Sequence, residues 1–150
     1  MITEDYVSFE TAKLLKEKGF KGVGSDFYEN EKIISFDNFW WRITPTQRYE
    51  AIEAPTFQMA MKWLRKKHNI LLVVDYEYEC DTTPYYFKIY RLGENGKPER
   101  VPIKGVSYDK NDNATEHIVG YRDWERSKGD YSTYEEAAEA AIKYCLENLI

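Results

Sequence analysis

Hydrophobic and polar positions in this chain repeat with two different periods. From Ile70 to Cys80 they alternate: Ile70, Leu72, Val74, Tyr76, Tyr78 and Cys80 fall on one face, and Leu71, Val73, Asp75, Glu77 and Glu79 on the other. That pattern predicts a long antiparallel strand with one face on a core and the other turning to water halfway along. At Phe57, Ala60, Met61 and Leu64 the spacing is helical, and Met59 and Trp63 add a second stripe. Thr56, after Pro55, is the N-cap of this helix, which ends near His68-Asn69. Another helix is predicted over Phe9–Lys18, with Ser8 as N-cap, Ala12, Leu14 and Leu15 as its apolar stripe, and Gly19 at the left-handed C-cap position. The last helix, Tyr134–Leu149, opens with a capping box of Thr133 and Glu136. It buries Ala138, Ala141, Ile142, Cys145 and Leu149.

Between the last two helices, Asp81–Pro84 turns the chain into a second strand, Tyr85–Leu92. Pairing Cys80 with Tyr85 sets Tyr78 opposite Phe87, Tyr76 opposite Ile89 and Glu77 opposite Lys88, so like meets like and charge meets opposite charge. Gly93–Lys97 leads to a third strand, Glu99–Ile103. A strict two-residue Asn95-Gly96 turn would oppose Arg91 with Arg100, so a longer loop or a bulge is expected. Pro98 and Pro102 mark this strand as an edge. His117–Tyr121 reads as a further short strand in the polar segment 105–131. Upstream, Ile33–Phe36 and Phe39–Ile43 flank Asp37-Asn38 and predict a tight hairpin over 33–43, with Thr44–Glu50 as a connection. The expected fold is α+β, one domain over residues 1–150. Its antiparallel sheet carries helices 56–68 and 134–149 on one face, and the N-terminal helix and hairpin extend it or cover its other side.

The order helix, three strands, helix is that of a double-stranded-RNA-binding domain, which presents lysines to phosphates from the start of its last helix. Here that start carries Glu135, Glu136 and Glu139. The net charge of −5 likewise repels phosphate at long range. The one cationic cluster is Lys62, Arg65, Lys66 and Lys67, at the end of helix 56–68. Its plain reading is a solvated helix end that complements the helix dipole, and its functional reading is a phosphate-binding patch. Aromatic residues make up 16% of the chain. Trp40, Trp63, Tyr86, Tyr90, Trp124 and Tyr131 do not all fit one core face. They predict either a second, smaller core under the hairpin 33–43 or a binding surface, with Trp40 and Trp41 as its candidate residues.

Catalytic and metal chemistry find little support. Asp75, Glu77 and Glu79 stand ~7 Å apart along one strand face, close enough for a ligand to bridge, but no companion group joins them. Asp109–Asn113 starts like a calcium loop and then has Ala114 where glycine is required and Gly120 where glutamate is required. The histidines are His68 and His117 alone, the cysteines Cys80 and Cys145 alone, and neither falls in a metal-ligand spacing. No cofactor or metal is expected. Without a signal peptide or ~20 consecutive apolar residues, the chain is expected to be cytoplasmic, with no membrane partner.

Three stretches, Ser8–Phe20, Ala54–Ile70 and Tyr131–Ile150, resemble small proteins of Bacteroidales gut bacteria and their phages. The likeness implies a bacterial, phage or mobile-element origin and carries over no activity and no functional residue. The expected function is therefore that of a non-enzymatic accessory protein acting on a protein partner or as a homo-oligomer. The alternatives are nucleic-acid binding through the basic end of helix 56–68 and, third, an enzyme using the Asp75/Glu77/Glu79 face.

Overall fold

The computed structural model describes residues 5–22, 25–78, 82–108, 114–119 and 131–150, with the backbone alone at 40, 49, 105–108 and 114–119. Glu79, Cys80, Asp109–Asn113, Gly120, Tyr121, Trp124 and Lys128 lie outside the described residues, as do the side chains of Trp40 and His117. The fold is α+β with antiparallel sheets. Its contacts form two compact units, Met1–His68 with Ile142–Ile150, and Asn69–Ala141.

The first unit begins with α1 (Phe9–Glu17). The Ser8 hydroxyl accepts the Thr11 amide at 3.2 Å, and Gly19 ends the helix at φ +86°. There Phe20 N–H donates to the Leu15 carbonyl at 2.9 Å. Only glycine adopts that φ without strain, so the predicted stop signal holds. A three-stranded antiparallel sheet follows, in the order β2-β1-β3, from β1 (Asp26–Glu29), β2 (Lys32–Ile34) and β3 (Ile52–Ala54). Beside β3 packs α1.

The hairpin expected over 33–43 is not formed. The tight turn lies earlier, at Asn30-Glu31 (φ 49° and 62°), between Glu29 and its partner Lys32. Residues Phe36–Trp40 instead make the short helix α2. Ser35 enters it in an extended conformation and Asp37 sits in its first turn. The Asp26 carboxylate accepts the Phe36 amide at 3.1 Å and the Tyr6 hydroxyl at 2.7 Å, tying α2 to β1. Thr44–Glu50 is likewise not a plain connection. It holds α3 (Pro45–Glu50), closed by a complete capping box in which Thr44 Oγ1 accepts the Gln47 amide and Gln47 Oε1 accepts the Thr44 amide. Last comes α4 (Phe57–His68), where Thr56 Oγ1 accepts the Met59 amide at 3.3 Å and Asn69 follows at φ 55°. Ala60 and Leu64 on its stripe are fully buried.

The second unit contains a three-stranded antiparallel sheet, β4-β5-β6, made of β4 (Ile70–Tyr76), β5 (Tyr85–Leu92) and β6 (Pro98–Val101). The expected register is corrected by four residues. Tyr76 pairs with Tyr85, Val74 with Phe87, Leu72 with Ile89 and Val73 with Lys88. The strand stops at Tyr76 because the chain leaves it early: the Glu77 amide donates to the Pro84 carbonyl at 2.7 Å across a wider loop. An even slip keeps every side chain on its predicted face, so Leu72 and Ile89 still share the buried side.

At the next turn the loop Gly93–Lys97 is the longer one expected, with Gly96 at φ +71°, and Arg91 opposes Glu99 instead of Arg100. At the edge of the sheet lies β6, as its prolines predict. A separate pair, β7 (Ile103–Tyr108) and β8 (Ala114–Val119), follows. The chain closes with α5 (Tyr134–Asn148), whose buried residues Ala137, Ala138, Ala141, Ile142, Cys145 and Leu146 keep helical spacing. Its cap reaches one residue further back than a strict box. Glu136 N–H donates to Thr133 Oγ1, while the Glu136 carboxylate accepts the Ser132 amide.

Candidate functional site

Among the described aromatic residues, Phe27 packs against Phe36 and Phe39, while Trp41, Tyr76, Tyr78 and Tyr134 are exposed. In the first unit Phe27 stacks on Phe39 at 4.5 Å and 12°, and Phe36 lies 6.1 Å from Phe27. Phe39 is buried through this contact. Two residues on, Trp41 is the C-cap of α2 and 81% exposed. A strand would have put Phe39, Trp41 and Ile43 on one face. A helix turns Trp41 about 200° away from Phe39. The corner holding Trp41 is fixed by its neighbour: Arg42 Nε donates to the Asn38 carbonyl at 2.7 Å, and Arg42 Nη2 lies 3.7 Å from the Glu29 carboxylate at the end of β1. On β2, which among the described residues pairs with β1 alone, Ile33 is also exposed.

The four cations sit on α4 as predicted, all exposed. Lys62, Arg65 and Lys66 share a helical face, and Lys67 lies about 100° round from Lys66. Among the described residues none of the four forms an ion pair. His68 ends the helix with its ring 4.6 Å from that of Trp63. Burial, and then the Lys67 ammonium, push its pKa down and favour the neutral ring.

Of the three candidate acids Asp75, Glu77 and Glu79, the last lies outside the described residues. Asp75 accepts the Tyr86 hydroxyl at 3.1 Å and pairs with Lys88 Nζ at 3.3 Å. The Tyr76 amide, followed by Lys88 and Tyr86, holds the Asp75 carboxyl below its ordinary range against a smaller opposing effect of burial. Glu77 lies past the end of β4. No group of described residues is built to hold a metal ion, and no helix among them is long and apolar enough to cross a membrane.

One site in the first unit lies outside every pattern read from the sequence. A cavity of about 550 Å³ is walled by Phe20, Phe27 and Phe36 and reached by Lys16, Lys21 and Arg48. At its edge the Gly22 amide donates to Glu53 Oε2 at 2.7 Å. Burial raises the Glu53 pKa, and the Gly22 amide, Ser25, Lys16 and Lys21 offset part of that rise. The capping box of α3 was the one sequence signal available, since it orders the helix that carries Arg48. No protein-family model, curated protein or solved structure matches the chain.

Proposed function

We propose that the chain is a non-enzymatic accessory protein of a bacterium, phage or mobile element, and that it works by binding another protein through Trp41. The supporting observation is the indole itself, 81% exposed on a corner held by the Arg42–Glu29 pair. An indole offers a large contact area for few torsions to freeze, which is why tryptophan anchors so many protein interfaces. Exposed Ile33 adds apolar area in the same unit.

The test compares wild type with Trp41→Ala, both shown folded by circular dichroism. Sedimentation over a range of concentrations detects self-association, and affinity capture from the source cells detects a different partner. Loss of a dimer, or of one specific captured protein, in the variant alone supports the reading. A wild type that stays monomeric and captures nothing the variant does not also capture overturns it.

The second reading is nucleic-acid binding through Lys62, Arg65, Lys66 and Lys67, supported by their exposure and by the lack of ion pairs to them among the described residues. Phosphate contacts would make affinity fall steeply with salt. A titration with duplex RNA and DNA at low and moderate salt decides it, and no binding at low salt removes it.

A further inference from the structure

Three tyrosines from three elements of the second unit stand in a row. Tyr76 closes β4, and Tyr85, its Cα partner, opens β5. Their rings meet edge to face at 5.3 Å and 71°. Tyr134, the first residue of α5, meets Tyr85 in the same way at 6.5 Å and 90°. Two backbone hydrogen bonds fix the entry to α5 at this spot: Tyr85 N–H donates to the Tyr131 carbonyl at 3.0 Å, and Tyr131 N–H donates to the Tyr85 carbonyl at 3.1 Å. The row is therefore carried by paired backbone and is open to solvent, with Tyr76 49% and Tyr134 37% exposed.

Aromatic faces carry negative potential and attract cations. The opposite face of the same strand already uses this attraction, where the Lys88 ammonium lies over the Tyr86 ring at 5.4 Å. Among the described residues no cation takes the corresponding place over Tyr76, Tyr85 or Tyr134. One residue on from Tyr134, Glu135 is exposed and forms no ion pair among the described residues. The chain as a whole carries −5. Ring faces, carboxylate and net charge thus favour one sign of partner, and they disfavour nucleic acid, whose phosphates the same field repels. We propose that the row docks a basic segment of a partner protein, with arginine side chains laid on the Tyr76, Tyr85 and Tyr134 rings and a guanidinium paired with Glu135. Arginine suits the surface better than lysine, because a planar guanidinium stacks on a ring and still offers N–H groups to a carboxylate at its edge. The surface is independent of the Trp41 reading, since Trp41 belongs to the other unit.

The experiment is calorimetric titration of the full chain with a peptide of about ten residues that alternates arginine with glycine, beside lysine–glycine and glutamate–glycine peptides of the same length. The arginine peptide should bind about threefold more tightly than the lysine peptide, and the glutamate peptide should not bind. Tyr76→Leu and Tyr134→Leu, each shown folded by circular dichroism, should weaken the arginine peptide roughly threefold. Glu135→Gln should weaken it about twofold. Glu94→Gln removes the same charge from an exposed position past the opposite end of β5 and should leave binding unchanged, as should Trp41→Ala. The proposal is overturned if the arginine peptide fails to bind at about 5 mM in low salt, or if the lysine peptide binds equally well. It is overturned equally if the folded tyrosine variants bind like wild type, or if Glu94→Gln weakens binding as much as Glu135→Gln, which would reduce the effect to overall charge.

Discussion

Lys88 on β5 reaches diagonally across to Asp75 on β4, its Nζ 3.3 Å from the carboxylate, while its own Cα partner is Val73. The Tyr86 hydroxyl donates to the same carboxylate at 3.1 Å, and the Lys88 ammonium lies over the Tyr86 ring at 5.4 Å. The candidate acid Asp75 thus closes a local network on the sheet.

Replacing Asp75 with Asn should destabilise the protein by roughly 0.5–1 kcal/mol near neutral pH, the modest scale of a half-exposed pair. The Asp75 pKa is lowered in the folded state. Its contribution is therefore complete above the unfolded-state value and is lost as pH falls through the folded one. Urea unfolding at several pH values should show the wild-type advantage shrinking toward strong acid. An advantage that persists unchanged there would contradict the assignment.

Glu53 has the opposite sign. Its folded pKa is raised by burial, so the native state holds the proton more tightly than the unfolded chain does. The associated stability is present below the unfolded-state pKa and declines as pH rises through the folded one. Glu53→Gln keeps an oxygen for the Gly22 amide and removes the titration. The variant should gain on wild type between mildly acidic and neutral pH, as read by melting temperature. A constant difference across that range would mean the carboxylate is not desolvated.

How much of this was legible in the sequence depends on how local each signal is. The caps at Ser8, Thr56 and Thr133 are each set by residues within one turn, and all three appear where expected. The strands β4 and β5 were legible through their period of two. Their register was not, because a slip of four residues preserves both faces, and Asp81–Pro84 marks a turn without fixing how many residues before it leave the ladder. Asp37-Asn38 misled because asparagine and aspartate suit turns as well as helix starts, whereas the real turn places a glutamate at positive φ. The box Thr44-Pro-Thr-Gln47 is a local signal of the same kind, and it marks α3 where a plain connection was expected. The cavity was not readable at all, since Lys16, Gly22, Arg48 and Glu53 meet only through the tertiary fold.

Two glycines separate steric fit from backbone freedom. Gly19→Ala meets no atom within 4 Å, but φ +86° strains any L-residue, so a loss of about 1 kcal/mol is expected. Gly22→Ala would meet Ser25 Oγ and Glu53 Oε2, both side-chain ends that can shift, so its cost should fall at the low end of the ~1–3 kcal/mol of overpacking. Denaturant unfolding of the two variants checks both values, and an unchanged stability in Gly22→Ala would argue against the close fit at Gly22.

Phe39 and Trp41 form the sharpest contrast, because two aromatic residues two positions apart have opposite environments. Phe39 is 6% exposed and stacked on Phe27, so Phe39→Ala removes a buried ring and should cost about 3–5 kcal/mol. Trp41 is 81% exposed, and a substitution there should change unfolding free energy by no more than about 0.5 kcal/mol. Had the segment been the strand expected from its alternation, both residues would share a face and both variants would be similarly damaging. Denaturant unfolding of the two single variants therefore tests the helical assignment of Phe36–Trp40. The same data tell whether Trp41→Ala can report on binding without unfolding the chain. A Trp41→Ala loss comparable to that of Phe39→Ala would place the indole in a core and remove the interface it is proposed to anchor.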